Sequence, residues 1–423
     1  MTPIHLTALD EIPADWDSAS LDELGDGATP TVKAGPFGSA LTKDQYVASG
    51  FKVYGQEQVI RGDHSFGDYF ISAKKYRELE SCAVRPGDVL LSLVGTVGRL
   101  LEIPEGASPG VINPRLIRFS LNKKLTNPRF FRYLLESTVV QQRLEKLAQG
   151  GTMGVLNAGA LRPFRIALPK MREQLAIANA LSDVDILVAG LERLVSKKRD
   201  IKRAAMQQLL TGQIRLPGFS GDWDRVELRK LVLTPITDGP HMTPRFYESG
   251  VPFLSVNNLV DNRIDLSDLR YISDEDDQLF SKKCKPKVGD VLLGKAASVG
   301  KVALVEEEFN FNIWSPIALV RAGGDILPKF LFYQLLSADC VGQIALLTNS
   351  SSQGNIGMGD IEKLQISYPK WDEQTAIAAV LSDMDADLSA LKSRLVKTRA
   401  IKEGMMQELL TGRTRLVDSG EKA

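Results

Sequence analysis

Residues 172–212 read REQLAIANALSDVDILVAGLERLVSKKRDIKRAAMQQLLTG, and residues 372–412 read DEQTAIAAVLSDMDADLSALKSRLVKTRAIKEGMMQELLTG. Arg172-Glu173-Gln174 returns as Asp372-Glu373-Gln374, Leu181-Ser182-Asp183 as Leu381-Ser382-Asp383, and Leu209-Leu210-Thr211-Gly212 as Leu409-Leu410-Thr411-Gly412, each 200 positions on. The apolar series Leu181, Val184, Val188, Leu191, Val195 steps by 3, 4, 3, 4, and Leu381, Met384, Leu388, Leu391, Leu395 repeats those steps. That period is the seam of a coiled coil. It turns polar at Lys198 and Lys202, and at Thr398 and Lys402, then resumes at Ala205 and Leu209, and at Met405 and Leu409. Glu173 and Glu373 fall in a first turn, where an acid suits the helix dipole. Gly212 and Gly412 stand where a C-terminal glycine cap belongs. Two long helices are expected, beginning after Pro169 and Pro369. Matching seams predict that they pack on each other, and two-fold symmetry makes the pair antiparallel.

The repeat extends outward from the helices. Gly87-Asp88-Val89-Leu90-Leu91 matches Gly289-Asp290-Val291-Leu292-Leu293, and Cys82 matches Cys284 at the same offset. Asp15-Trp16-Asp17 matches Asp222-Trp223-Asp224. Each copy opens on Asp-Trp, continues through a segment rich in strand and turn signals, and closes on a long helix. A period this long means a module and arm used twice, not a solenoid. The fold class expected is α+β: two mixed α/β domains separated by two long antiparallel helices, with an internal pseudo-two-fold repeat. The boundaries read as 1–168 and 213–368 for the modules, 169–212 and 369–412 for the arms, and 413–423 for a tail.

Composition narrows the function. With 423 residues, 43% hydrophobic, the chain can bury a sizeable core and divides into two or three domains. Lys+Arg and Asp+Glu are equal at 52 each, which excludes a uniformly basic nucleic-acid coat but not local basic patches. Three cysteines give no disulfide framework and suit a reducing cytoplasm. No long unbroken apolar run is read as a membrane span, and Met1–Asp10 lacks a signal-peptide layout.

Polar residues gather on the turns of both modules. In the first, Gly35-Pro36-Phe37-Gly38-Ser39 forms a loop, and Phe51–Tyr54 reads as a strand leading into the polar stretch Gly55–Gln58. Val89–Val94 reads as a buried strand, then the Gly95–Arg99 turn, with a helix over Phe130–Leu147. In the second, Asp238-Gly239-Pro240-His241-Met242-Thr243-Pro244 is a polar turn, Val251–Val256 a strand ending at Asn257-Asn258, Val291–Leu293 a strand before the Lys295–Lys301 turn, and Pro328–Leu347 a helix before the Ser350–Asn355 loop. Gln, Asn, Arg, Lys and Ser on loops are the types that reach base edges and phosphates. The candidates are Ser39, Lys43, Gln56, Gln58, Arg61, Thr96, Arg99 and Arg115 in the first module. In the second they are His241, Thr243, Arg245, Asn257, Asn258, Lys295, Ser298, Lys301, Ser351 and Gln353. Similar strands under different polar loops suit one scaffold reading two short sequences. An arm of roughly 57 Å (~1.5 Å per residue) exceeds one turn of B-DNA, ~34–36 Å, so the two sites would flank a gap of fixed length that is not read. The basic clusters Arg193, Lys197, Lys198, Arg199, Lys202, Arg203 and Lys392, Arg394, Lys397, Arg399, Lys402 fit a solvated helix face or a phosphate-facing one equally.

Catalytic motifs fail on inspection. Gly289–Lys295 has phosphate-loop spacing, but Ala296 replaces the magnesium-binding Ser or Thr, and the intervening residues are a strand. Asn113-Pro114-Arg115 is not the Asn-Pro-Pro-aromatic motif of an adenine methyltransferase. No Cys-x-x-Cys or paired histidines offer a zinc site; His5, His64 and His241 lie far apart. No catalytic constellation emerges.

The paired Glu-Gln…Leu-Ser-Asp…Leu-Leu-Thr-Gly arms, with Gly35–Ser39 and Asp238–Pro244 ahead of them, resemble the specificity subunits of type I restriction–modification systems, the HsdS family. The likeness runs from Trp16 to Gly412. It implies two target-recognition domains, each reading half of a bipartite site in double-stranded DNA. It implies a subunit that is not an enzyme and holds no cofactor. Two methyltransferase subunits would dock on the arms and bring S-adenosylmethionine. Restriction subunits, ATP-driven translocases, would bring ATP and Mg2+. A cytoplasmic location follows. Three other readings stay open at this point: a specificity subunit in a methylation-only system, a coiled-coil scaffold, and a nucleotide hydrolase built on Gly294-Lys295.

Overall fold

The computed structural model describes residues 13–93, 98–149, 156–348 and 354–417. Strand-forming and helix-forming stretches divide as their side-chain periods require, and the result is mixed α/β with two helices of 39 residues each, Met171–Leu209 and Trp371–Leu409. The chain separates into two units: Met1–Glu192 with Arg394–Ala423, and Arg193–Ser393. The division falls inside both long helices, not at their ends.

In the first unit, strands Asp17–Ser20 and Arg165–Leu168 pair antiparallel with Asp17 opposite Leu168, so the chain enters and leaves the module at one place. Between them lies an antiparallel sheet in the order Val32–Ala34, Leu116–Phe119, Val89–Ser92, Leu100–Glu102. Val89–Ser92 is buried along its whole length, which is why its sequence is a continuous apolar run and not an alternating one. A second sheet orders Phe70–Ile71, Phe51–Tyr54, Gly110–Ile112, Ala83–Val84, with Phe51–Tyr54 and Gly110–Ile112 parallel. The core joins Trp16, Leu21, Phe119, Phe130 and Phe131 to Leu181 of one long helix, to Met406 and Leu409 of the other, and to Leu410 just past its end.

The helix expected over Phe130–Leu147 is two, Pro128–Glu136 and Thr138–Gln149. Ser137 breaks it: its hydroxyl donates to the Leu134 carbonyl at 2.7 Å and accepts from the Val140 amide at 3.4 Å. A serine side chain that can serve the backbone ends one helix and starts the next.

The second unit closes in the same manner, with Asp224–Glu227 antiparallel to Gln365–Tyr368. Its main sheet runs Thr237–Asp238, Ile317–Arg321, Asp290–Gly294, Val302–Leu304. A further sheet orders Arg270–Ile272, Val251–Leu254, Asn312–Ile313, the last two parallel. The helix read over Pro328–Leu347 is also broken, into Pro328–Leu335 and Ala338–Leu347 at an angle of 62°, with Ser337 capping the second by accepting from the Cys340 amide. Leu209 and Leu210 lie in this unit's core with Leu228, Phe330 and Leu381.

The Glu-Gln and Leu-Leu-Thr-Gly motifs are explained by packing. Gln174 accepts from the Asn127 amide at 2.8 Å and donates to the carbonyls of Leu125 and Pro169, at 2.9 and 2.8 Å. Gln374 does the same for Leu327, Asp325 and Pro369. In the first unit Gly412 lies under the Trp16 ring, where an added Cβ would sit 3.1 Å from Cζ2 and 2.4 Å from Pro13 Cγ. In the second unit Gly212 packs under Trp223 in the same way, at 3.2 Å from Cε2. The glycines are therefore needed for close approach to an indole as well as for helix termination.

Five of the eleven basic residues named on the long helices hold carboxylates from other segments. In the first unit Lys402 binds Asp185 at 2.6 Å and Arg399 binds Glu192 at 2.5 Å. In the second, Lys202 binds Asp385 at 2.5 Å, Lys198 binds Asp387 at 3.0 Å, and Lys392 binds Asp261 at 2.6 Å. Within each unit the helix segments run antiparallel, since partners rise in number on one as they fall on the other. Tyr133 donates to Asp185 and Tyr333 to Asp385, at 2.7 and 2.9 Å, tying each module to its helix.

The sequence offered no unbroken apolar span, yet Met171–Leu209 is, by length and composition, apolar enough over one window to cross a membrane. Its Leu181, Leu191 and Val195 are buried in the protein.

Candidate nucleic-acid interface

In the first module the chain leaves strand Val32–Ala34 at Gly35, whose amide donates to the Leu116 carbonyl at 3.0 Å. An added Cβ there would lie 1.9 Å from the Asn113 carbonyl oxygen, so only glycine fits. The loop is thereby pressed onto Asn113-Pro114-Arg115. These three residues, with Lys43, Tyr46, Gln56, Gln58 and Tyr69, line one cleft of about 470 Å³. Arg115 Nη1 donates to Gln56 Oε1 at 3.4 Å, and the Arg115 amide donates to Asn113 Oδ1 at 2.9 Å. A guanidinium held by an amide at the mouth of a cleft can present paired donors to a guanine edge or a phosphate.

Four sequence candidates, Lys43, Gln56, Gln58 and Arg115, thus come together. Gln58, however, is buried and spent. Its Oε1 accepts from the Gly55 amide at 2.9 Å and its Nε2 donates to the Phe66 carbonyl at 2.7 Å. The stretch from Gln56 is a helix, Gln56–Arg61, and Gln58 is its capping residue. Ser39 is exposed in the turn Gly38–Ala40, Arg99 is exposed just before strand Leu100–Glu102, and Arg61 stacks over Phe66 at 4.0 Å. Thr96 lies outside the described residues.

The second module builds its loop on a carboxylate. Asp238 is buried and receives Lys283 Nζ at 2.5 Å, Lys295 Nζ at 3.1 Å and His241 Nε2 at 3.1 Å. Gly239 follows, where a Cβ would meet the Ile313 carbonyl oxygen at 1.8 Å. Lys295 is therefore a buried ion-pair partner and not a free arm. Asn258 is the counterpart of Gln58: it accepts from the Ser255 amide at 2.9 Å and donates to the carbonyls of Asp265 and Asp268, at 3.1 and 2.9 Å. Gln58 and Asn258 hold their own loops with both ends of their amides. Asn257, Thr243 and Arg245 are exposed, the last over Tyr247 at 5.3 Å. Lys301 is half-buried and donates to the Val256 carbonyl at 3.3 Å. Ser298 is half-buried next to Ala297, which holds a left-handed φ of 61°, a strained conformation for a side-chain residue. Ser351 and Gln353 lie outside the described residues, although Ile356 just beyond them donates to the Lys295 carbonyl at 2.9 Å. Lys283 and the Tyr46–Tyr69 ring pair were not singled out from the sequence. Lys283 lies 45 residues from Asp238, and no spacing announces either pair.

Burial raises the pKa of Asp238, but the hydrogen-bonded ammonium groups of Lys283 and Lys295 outweigh it and hold the carboxyl below its ordinary value of 3.8. A depressed folded pKa contributes stability that is present above the unfolded value and is lost as pH falls through the folded one. Asp238→Asn is expected to cost the second unit about 2 kcal/mol at neutral pH. The gap to wild type should close below about pH 4. Denaturant melts of both proteins across that range check the sign; a gap that stays constant with pH contradicts it.

Chemistry at the remaining reactive groups is muted. Cys82, Cys284 and Cys340 are buried and unpaired, and burial pushes the thiols of Cys284 and Cys340 up to about 12, which leaves them inert. Among the described residues no group of three His, Cys, Asp or Glu could hold a metal ion. Lys295, the lysine of the phosphate-loop lookalike, points into Asp238 and not into an open loop.

Residues 14–197 and 233–398 match the family model of the type I restriction modification DNA specificity domain. The chain is 21% identical over 350 residues to the type I restriction enzyme EcoBI specificity subunit of Escherichia coli, covering 77% of this chain and 73% of that one. It is 23% identical over 441 residues to the putative MjaX specificity subunit of Methanocaldococcus jannaschii, covering 97% and 96%. The solved S subunit of a type I restriction–modification system from M. genitalium has a similar fold, with a TM-score of 0.58 at 15% identity over 95% of this chain and 96% of that one.

Proposed function

Because this chain belongs to the family of type I restriction–modification DNA specificity subunits, we propose that its two modules each read one half of a bipartite site in double-stranded DNA. It is a DNA sequence-specificity subunit and, like the specificity subunits it resembles, is not itself catalytic. The observation that carries the reading is the double match to the specificity domain, at residues 14–197 and 233–398.

The chain is a pseudo-two-fold repeat. This is supported by the shared strand order of the two main sheets and by the paired Gln174 and Gln374 networks. The modules are 1–168 and 213–368, the arms 169–212 and 369–412, and 413–423 a tail. The arms form an antiparallel coiled coil that fixes the unread gap. In the first module Lys43, Gln56, Arg61, Arg99, Arg115, Ser39 and Thr96 face DNA. In the second, His241, Thr243, Arg245, Asn257, Ser298, Lys301, Ser351 and Gln353 do so, with Lys295 placing His241 through Asp238.

Two methyltransferase subunits dock on the outward faces of the arms. Exposed Ile186, Leu187, Val396 and Ile401 in the first unit, and Leu194 and Ile201 in the second, are apolar side chains suited to such a partner. Restriction subunits complete the complex; S-adenosylmethionine, ATP and Mg2+ belong to those partners, and the assembly works in the cytoplasm. Inserting one heptad in each arm is expected to lengthen the gap by about 3 base pairs, since ~10 Å of helix spans about that much duplex. Mapping the methylated motif of the lengthened protein tests this. Altered half-sites, or an unchanged gap with activity retained, would refute the spacer role.

A further inference from the structure

We infer that Phe37 is an aromatic wedge that enters the base stack of the half-site read by the first module. The inference rests on the DNA-reading function proposed above. Phe37 is 85% exposed, an extreme for a phenylalanine, which burial would otherwise stabilise. Its exposure is imposed by the loop. The Gly35 amide donates to the Leu116 carbonyl, its Cα packs against the Asn113 carbonyl, Pro36 is buried, the Ala40 amide donates to the Phe37 carbonyl at 3.2 Å, and Leu41 is buried in a core. The ring therefore stands on a short, braced turn and cannot fold back without breaking it.

Its surroundings are those of a duplex reader. The loop is anchored on one wall of the cleft, at Asn113 and Pro114, and continues into Leu41, Thr42 and Lys43 on another. Arg115 and Gln56 supply donors to base edges, and Lys43 to phosphate. Proteins that open a base step do so with an apolar side chain flanked by such groups. The second module puts His241 after its Gly-Pro pair, with Nε2 3.1 Å from Asp238. A polar ring tethered to a carboxylate is unsuited to entering a stack. The second module's loop thus offers no aromatic wedge at the position after its Gly-Pro pair.

The test uses the complex of the full chain with its methyltransferase subunits, and duplexes carrying 2-aminopurine at successive positions other than the modified adenines. The wild-type complex should brighten the probe at one step in the first module's half-site. Phe37→Ala should cut that brightening by at least about threefold and Phe37→Trp should keep it; the other half-site should not respond to either. Brightening that persists in Phe37→Ala overturns the proposal. So does a wild-type complex that recognises its site with no bright step. Loss of the methyltransferase from the Phe37→Ala complex on gel filtration also overturns it, by making Phe37 a protein contact. Failure of the underlying reading looks different: wild type would then bind the bipartite duplex no better than a scrambled one.

Discussion

Replacing residues 222–368 with the corresponding segment of another specificity subunit will change one half of the recognised motif and leave the other half and the gap intact. The strand pair Asp224–Glu227 and Gln365–Tyr368 brings both ends of that segment together, Asp224 opposite Tyr368. The exchanged piece therefore enters and leaves at a single place. Its Leu228, Val291, Leu293, Val320 and Phe330 share one core with Leu209, Ile377 and Leu381 of the long helices, and polar contacts add to it: Tyr333 on Asp385, Leu327 on Gln374, and Asp261 on Lys392. A donor segment that keeps those contacts should fold in place. The original half-motif should lose methylation by a factor of about a thousand or more, the range that separates specific from nonspecific sites. Sequencing methylated adenines in cells carrying the hybrid reads both halves at once. A change in both halves would mean that the modules do not read independently.

Arg415→Ala will destabilise the first unit by about 3 kcal/mol and leave the second unit nearly untouched. Glu173 is 2% exposed and receives Arg415 Nε at 2.5 Å, Arg415 Nη2 at 2.8 Å and the Trp16 indole N–H at 3.0 Å. Arg415 also grips exposed Asp15 at 2.9 and 2.8 Å. Removing the guanidinium leaves a buried carboxylate with one neutral donor. The arginine is a quarter exposed, so water softens the loss, and the figure sits at the lower end for a broken buried pair. The second unit carries its own version, Arg215 on Glu373. Hydrogen exchange should rise in Asp17–Ser20 and Arg165–Leu168 while Asp224–Glu227 and Gln365–Tyr368 stay protected. Equal loosening of both strand pairs would contradict the assignment of this clasp to one unit.

These two results bear on different layers of what the residues encode. The long helices were legible because a 3, 4, 3, 4 apolar series has one stable solution, and Phe51–Tyr54 because its flanking glycine and polar turns bound it. The clasp was not. Glu173 reads locally as an acid suited to a helix dipole, and its real partner is 242 residues away. The loop-holding role of Gln58 and Asn258 was not legible, since an amide on a loop looks alike whether it faces DNA or its own backbone. The local signal that distinguishes them is position: each lies three residues after a helix-capping site, Gly55 or Ser255, to which its side chain returns. Both broken helices hid for a related reason. Ser137 and Ser337 interrupt an apolar period only slightly, yet each hydroxyl satisfies backbone groups that a continuous helix would otherwise pair. The second module's hub was invisible because Asp238, Lys283 and Lys295 come from three separate stretches joined only by the sheet.

The most direct measurement is a map of methylated adenines in host DNA with this protein present and with its gene removed. The account predicts one bipartite motif, two short fixed halves around an unread gap, that disappears when the gene is removed and returns when it is restored. An identical methylation map in both strains, with the methyltransferase partner expressed, would contradict it.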